Sequence, residues 1–396
     1  SPDEPLDLSA LARSRRSLYG TGAVSLVDIT RQEVAGLGAP ADAQELVELD
    51  VKVREVEPFQ LRYGASYDTE NGIGGIFDIA NHNSLGGARV VGLQARYDGQ
   101  VRDGRVYINQ PTLTYRSQTT ASFFIREDFN PPTELTDPFD VSRRGVSIQQ
   151  ERRLQNKYVW SYGYKYERAH TLTPTPVGAF DQAWTVSPVM STLTRDTRDD
   201  VLDASKGAFL SQSFQYSPSW LGAKQPFAKY FGQYFRYFPL QAPRRNPLTD
   251  QIIRPRLVFA TGVRVGLSRG LGDIVPRPER FFAGGSATMR GFEQNTVGPI
   301  TPDGFALGGQ GLLIFNNEIR VPLPLFSILD GVLFTDIGNV FATVSDMSLT
   351  DLRQSVGIGI RIRTSWLLLR SDYGWVVDPR PGGERGQFYI SVGQAF

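Results

Sequence analysis

From Phe59 to the C-terminus, apolar positions alternate with polar or small ones. Between Tyr158 and Tyr166 one face carries Tyr158, Trp160, Tyr162, Tyr164 and Tyr166, and the other Val159, Ser161, Gly163 and Lys165. Further on, Leu257, Phe259, Val263, Val265 and Leu267 oppose Arg256, Ala260, Gly262, Arg264 and Gly266. Val356, Ile358, Ile360 and Ile362 oppose Gly357, Gly359, Arg361 and Arg363, and Phe388, Ile390, Val392 and Phe396 oppose Tyr389, Ser391, Gly393 and Ala395. A period of two is the signature of a β-strand with unlike faces. The pattern predicts sixteen strands, near 59–68, 73–81, 87–98, 102–114, 119–129, 141–153, 156–168, 181–194, 207–217, 227–240, 254–268, 308–322, 329–342, 353–364, 366–375 and 386–396. The connection 269–307 is far longer than a hairpin needs, which marks it for function.

Residues 1–57 read differently. Leu8, Leu11, Ala12, Arg15 and Leu18 have helical spacing, and Gly20-Thr21-Gly22 supplies a stop. Val24–Ile29 and Leu46–Val56 then read as strands, giving a small α+β unit expected to lack its beginning.

The character of the polar face decides the architecture. A soluble sandwich also alternates. Here the wet face is rich in Gly, Arg, Ser and Gln, the dry face is aromatic near segment ends, and the strands approach ten residues. Those features suit lipid outside, interfacial aromatic girdles and a polar lumen. No run of roughly 18 apolar residues could form a membrane helix. The expected fold is all-β: a 16-stranded antiparallel transmembrane β-barrel over 58–396. A bacterial single-chain barrel has an even strand number. A final strand ending on Phe396 suits a closing seam. Ser1-Pro2-Asp3-Glu4 is no signal peptide, so a mature or truncated chain is expected.

Composition removes several functions. There is no cysteine, and the only histidines, His82 and His170, stand in no recognisable motif. No cofactor, metal site or enzymatic activity is expected. A net charge of +1 gives no basic face for nucleic acid. Asp196, Asp199 and Asp200 read as turn residues paired with Arg195 and Arg198 rather than as a cation site. Ser286, in Gly284-Gly285-Ser286-Ala287, lacks the frame of a nucleophile elbow. Phe227–Phe238 reads as lipid-facing girdle.

Several motifs occur in order. The long connection holds Phe281-Phe282-Ala283-Gly284-Gly285-Ser286-Ala287-Thr288-Met289-Arg290-Gly291-Phe292. Asn317-Glu318-Ile319-Arg320 follows Gly308-Gly309, and then comes Phe334-Thr335-Asp336-Ile337-Gly338-Asn339-Val340-Phe341. Gly357-Ile358-Gly359, Leu369–Gly374 and Gly393-Gln394-Ala395-Phe396 complete the series. Upstream stands Arg195-Asp196-Thr197-Arg198-Asp199-Asp200 with Lys206-Gly207, without the proline usual near Ala204 and Ser205. Over roughly 190–396 this series resembles the BamA/TamA superfamily of outer-membrane barrels, which includes insertases and two-partner secretion transporters. Residues 1–57 resemble the last part of a POTRA domain, a periplasmic module that binds client chains by strand addition.

Parity independently turns Glu318 and Asp336 inward, toward the only loop long enough to fold back into the barrel. The resemblance implies the same: a loop anchor of Arg290, Gly291, Phe292, Glu318, Asp336 and Gly338. It also implies a lateral seam between first and last strands, carried by Leu61, Tyr63, Tyr67, Gly386, Tyr389, Gly393 and Phe396. The expected function is assembly and insertion of outer-membrane proteins through that seam. Its partners would be unfolded client polypeptides, the lipid bilayer and periplasmic accessory subunits. The alternative is a two-partner secretion transporter exporting an extended chain through the lumen. A passive porin, or a barrel fused to a soluble enzyme, completes the set.

Overall fold

The computed structural model describes residues 7–33, 47–83, 85–111, 117–130, 139–175, 178–242, 244–245, 252–253, 256–272, 274–301, 306–323, 328–364, 368–380, 383 and 385–393. Phe396, Gln394 and Ala395, named above, lie outside them.

Helix α1 (Leu8–Gly20) begins at Asp7, whose carboxylate accepts the Ser9 N–H at 2.7 Å. It packs on a two-stranded antiparallel hairpin, Val24–Glu33 with Val47–Glu55, burying Ala23 and Val27. The Val27 N–H donates to the Tyr19 hydroxyl at 3.0 Å.

The remainder closes into an antiparallel barrel of sixteen strands among the described residues. In chain order these are β1 (Phe59–Asp68), β2 (Gly72–His82), β3 (Val90–Tyr97), β4 (Val101–Pro111), β5 (Ser117–Asn130), β6 (Phe139–Arg153) and β7 (Tyr158–Thr175). Next come β8 in two segments (Gly178–Val186 and Val189–Asp196), β9 (Gly207–Ser217), β10 (Phe227–Pro239) and β11 (Val258–Gly270). Then follow β12 (Gly311–Pro322), β13 (Leu329–Phe341), β14 (Arg353–Arg363), β15 (Leu368–Val376) and β16 (Gly386–Gly393). Both segments of β8 pair with β7 in one unbroken register, from Gly178–Thr175 through Val186–Glu167 to Val189–Tyr164. The interruption is at Pro188, which has no N–H for the ladder. The Ser187 N–H turns instead to the Ser217 hydroxyl at 2.9 Å.

Side chains separate by parity. Phe123, Ile125, Val146, Ile148, Phe214, Leu333, Val356, Ile358 and Ile360 face outward and are exposed, an apolar band that protein does not cover. The inward positions hold ion pairs, among them Arg361–Asp372 at 2.6 Å, Lys165–Glu167 at 2.9 Å and Arg256–Asp330 at 2.6 Å. The main buried apolar cluster lies inside the barrel. Phe281, Ala283, Met289, Phe292 and Val297 of the β11–β12 loop pack there on Leu312, Ile314, Val340 and Val376 of the wall.

The loop enters from the end of the barrel opposite the N-terminal unit. Tyr19–Gly22 lie near Val90, Pro111 and Glu151, whereas the loop meets the β1–β2 and β3–β4 turns.

Candidate functional site

The loop between β11 and β12 folds back on itself through the bridges Phe281–Gly309, Ala283–Val297, Gly285–Met289 and Ile300–Ala306. Its tip is the turn Gly285–Met289, and Arg290 follows immediately.

Arg290 lies between the carboxylates of β12 and β13. Its Nε and Nη2 donate to Asp336 at 2.9 and 3.1 Å, and Nη1 donates to Glu318 at 2.8 Å. The Arg290 backbone N–H also donates to Asp336, at 3.0 Å. A planar fork reaching two carboxylates is geometry that only guanidinium provides. The cation's carbon stands 3.5 Å from the centroid of the Phe334 ring, so the inward aromatic of β13 closes its remaining face. Asp336 is completely buried, and its second oxygen also accepts from Asn316 Nδ2 at 2.8 Å. Asn316 in turn donates to the Thr288 carbonyl at 2.9 Å. Glu318 accepts a further bond from Arg320 at 2.7 Å.

The next two residues fix the loop against the last strands. The Gly291 N–H donates to the Tyr389 hydroxyl at 3.0 Å, and that hydroxyl donates to the Phe292 carbonyl at 2.6 Å. Gly291 has φ of 93°, and a Cβ there would lie 3.1 Å from Ser355 Cβ and 3.2 Å from the Gly374 carbonyl carbon. Glycine is thus required both by the left-handed backbone and by the closeness of the β15 backbone. Gly338 is similarly pressed by the wall, with the β12 backbone 2.5 Å from where a Cβ would stand.

A second ionic contact holds the opposite side of the loop, and it has the reverse polarity. Glu279 on the loop is buried against Lys229 of β10 at 3.3 Å and Arg143 of β6 at 3.8 Å. Burial alone would raise its carboxyl pKa. Lys229, Lys165 and Arg143 outweigh that and hold it below the usual glutamate value. Sequence reading missed Glu279. The available signal was that Arg143, Lys165 and Lys229 are all inward by parity, an excess of cations that calls for an acid from elsewhere. It likewise missed Glu70, which binds Ser286, and gave Tyr389 to the seam, whereas its hydroxyl is buried inside against the loop.

The seam residues fall into two groups. Among the described residues, β16 registers with β1 at Ser391–Asp68, Val392–Tyr67 and Gly393–Ser66, and Ile390 bonds to Thr69 at the turn that follows β1. By contrast β15 and β16 register from Leu368–Gly393 to Trp375–Gly386. Tyr67 and Gly393 are therefore in the seam. Leu61 and Tyr63 lie further along β1, exposed at 53% and 74%, and residues 394–396, which continue β16 past Gly393, lie outside the described residues. Gly386 pairs with Trp375 at the other end of β16, away from β1.

Behind the seam is a lumenal cavity of 390 Å³. Ser286–Thr288 and Arg290 bound it on one side, Leu202 and Asp203 of the β8–β9 turn on the other, with Arg264, Arg361 and Arg370 along its wall. That turn carries the Arg195–Asp200 motif. Asp196 pairs with Arg198 at 2.6 Å, and the Asp199 carboxylate accepts the Ser205 and Lys206 N–H groups at 2.9 and 3.1 Å. Among the described residues no cluster of acids and histidines has the geometry of a metal site. Nor, among the described residues, is any helix long and apolar enough to cross a membrane.

Known proteins resemble this chain in sequence and fold. The outer membrane protein assembly factor BamA of Nitratidesulfovibrio vulgaris is 26% identical over 398 residues, covering 98% of this chain and 47% of its own length. The chain therefore spans about half of that relative. A SAM50-like protein of Schizosaccharomyces pombe is 24% identical over 343 residues, 81% of this chain and 68% of its own. Among solved structures, BamA from Haemophilus ducreyi lacking POTRA domains 1–3 has a TM-score of 0.80 at 17% identity, over 98% of this chain and 78% of that one. CdiB from Escherichia coli has a TM-score of 0.58 at 12% identity, over 100% and 72%. Both likenesses concern the fold. The family model described as the Omp85 superfamily domain matches residues 83–396, and the chain belongs to the Omp85 superfamily.

Proposed function

We propose that the chain is the membrane part of an outer-membrane protein assembly factor, which folds client barrels at the seam between β1 and β16. The carrying observation is that the last strand closes directly on the first, in a chain one of whose relatives is the assembly factor BamA. Among the described residues three register pairs, at about 3.4 Å each, join them over about 10 Å. Were the two strands to part, the backbone groups left unpaired in lipid would cost several kcal/mol each. An edge of this kind therefore favours an incoming strand, which pairs by β-augmentation. No covalent chemistry is involved.

In this reading the barrel lies in the bacterial outer membrane, and Leu8–Glu55 belong to a periplasmic POTRA domain that delivers clients. Unfolded outer-membrane polypeptides and periplasmic accessory subunits are the partners. The BamA and SAM50-like relatives support this assignment. Export of an extended polypeptide through the lumen, as in two-partner secretion, would require the loop to leave its buried contacts with Asp336, Glu318, Lys229 and Tyr389.

The test uses single cysteines in this cysteine-free chain. With the full-length protein in liposomes and a client barrel arrested during insertion, a cysteine at Leu61 or Tyr63 is expected to cross-link to the client's terminal strand. A cysteine at Tyr234 on β10 is not. Equal cross-linking at both places, or cross-linking only at the lumenal Arg264, would refute the seam reading.

A further inference from the structure

The two strands that form the seam are both tied to one short stretch of the loop. On the β16 side, the Tyr389 hydroxyl holds the Gly291 N–H and the Phe292 carbonyl. On the β1 side, the β1–β2 turn brings the Glu70 carboxylate to the loop tip. The Ser286 N–H donates to both Glu70 oxygens, at 3.1 and 3.2 Å, and the Ser286 hydroxyl donates to the second. Gly285 makes room for this: a Cβ there would stand 2.3 Å from Glu70 Oε1, and its φ is 88°. Beside them Gln100, from the β3–β4 turn, and Gln294, from the loop, exchange amide hydrogen bonds at 2.6 and 3.0 Å. Gln100 also donates to the Glu70 carbonyl at 3.2 Å.

We propose that residues 285–292 act as a clasp across the inside of the seam, with Glu70 as its positioning residue on β1, and that release of Glu70 from Ser286 starts seam opening. The proposal rests on the seam reading and deepens it. The order of release follows from burial. The Tyr389 contacts are buried, as is Arg290 between its carboxylates, while Ser286 is exposed. Hydrogen bonds at an exposed site compete with water and are the weaker ones. At this end of the seam the Thr69 N–H donates to the Ile390 carbonyl, next to Glu70. Glu70 therefore stands where a small change in affinity alters how often the gap widens. A client strand or loop pulling at the β1–β2 turn would act there, while the loop stays docked through Arg290.

The test is amide hydrogen exchange of the protein in liposomes, with no client present. Glu70→Ala is expected to raise exchange at the Thr69 amide, which bonds to Ile390, about tenfold, the factor that corresponds to about 1.4 kcal/mol. Amides of the β1–β2 ladder should be unchanged. Glu70→Gln keeps an acceptor for the Ser286 N–H and should fall between the two. Ser286→Ala, which keeps the backbone donor, should show a smaller rise and serves if the Glu70 variant folds poorly. Exchange at Thr69 equal to wild type in Glu70→Ala or Ser286→Ala would overturn the clasp. So would an equal rise throughout the barrel. Because no client is used, this result is separate from client cross-linking, which tests the assembly reading alone.

Discussion

Replacing Arg290 by alanine is expected to undock the tip of the loop without unfolding the barrel. The substitution removes the bonds from Nε and Nη2 to Asp336 and from Nη1 to Glu318, together with the cation over Phe334. Breaking a buried ion pair costs about 3–5 kcal/mol. The lower end applies here. Asp336 keeps the backbone N–H of residue 290 and Asn316, and Glu318 keeps Arg320. About 3 kcal/mol corresponds to a rise of about 100-fold in the undocked population. The Gly291 amide, bonded to Tyr389, reports this directly: its exchange protection should fall by about that factor, with new protease sensitivity at 285–295. Arg290→Lys should recover less than half of the loss, because an ammonium cannot span both carboxylates with a fixed fork. Unchanged Gly291 protection in Arg290→Ala would refute the reasoning, since the three side-chain bonds would then contribute nothing to docking.

Further expectations follow from the same geometry. Glu279, held below the usual glutamate pKa by Lys229, Lys165 and Arg143, contributes stability that is present above about pH 4.3, the ordinary glutamate value. That contribution is lost as the pH falls through the lower folded value. Thermal unfolding of wild type should therefore drop more steeply than that of Glu279→Gln below pH 4.3, the two converging in acid; parallel curves would count against the contact. Gly291→Ala forces a side chain into a left-handed backbone against β15 and should destabilise loop docking by about 1–2 kcal/mol, read at the Phe292 carbonyl's partner, the Tyr389 hydroxyl, by its exchange or fluorescence. A variant as well docked as wild type would show that the β15 backbone yields.

The strands were legible because their two faces meet different solvents. Val356, Ile358 and Ile360 face lipid while Gly357, Gly359 and Arg361 face the lumen, so alternation is strong in the membrane band. It fades outside that band: β7 continues to Thr175, past the expected end near 168, because Arg168 and His170 point outward beyond the apolar belt while the ladder goes on. The break at Pro188 is a local loss of one N–H and does not disturb parity, so a single expected strand over 181–194 is two segments. The inward orientation of Glu318 and Asp336 followed from parity as well. Contacts made by partners far apart in the chain were not legible. Glu279 meets cations from β6 and β10, Glu70 meets a loop more than two hundred residues away, and the place of Tyr389 depends on how the loop fills the lumen. Nor does the pattern show that the principal apolar cluster is built by the loop inside the barrel, since lumenal and loop positions carry no common period.

The central claim, that clients are assembled through the gap between β1 and β16, is tested most directly by locking that gap. Tyr67 and Val392 are register partners, and residues directly opposite across antiparallel strands lie within the range a disulfide spans. The chain has no other cysteine to interfere. In the full-length protein carrying Tyr67→Cys and Val392→Cys, oxidation is expected to stop insertion of a client barrel into liposomes, and reduction to restore it. Full insertion by the oxidised protein would contradict the account and leave passage through the lumen as the route.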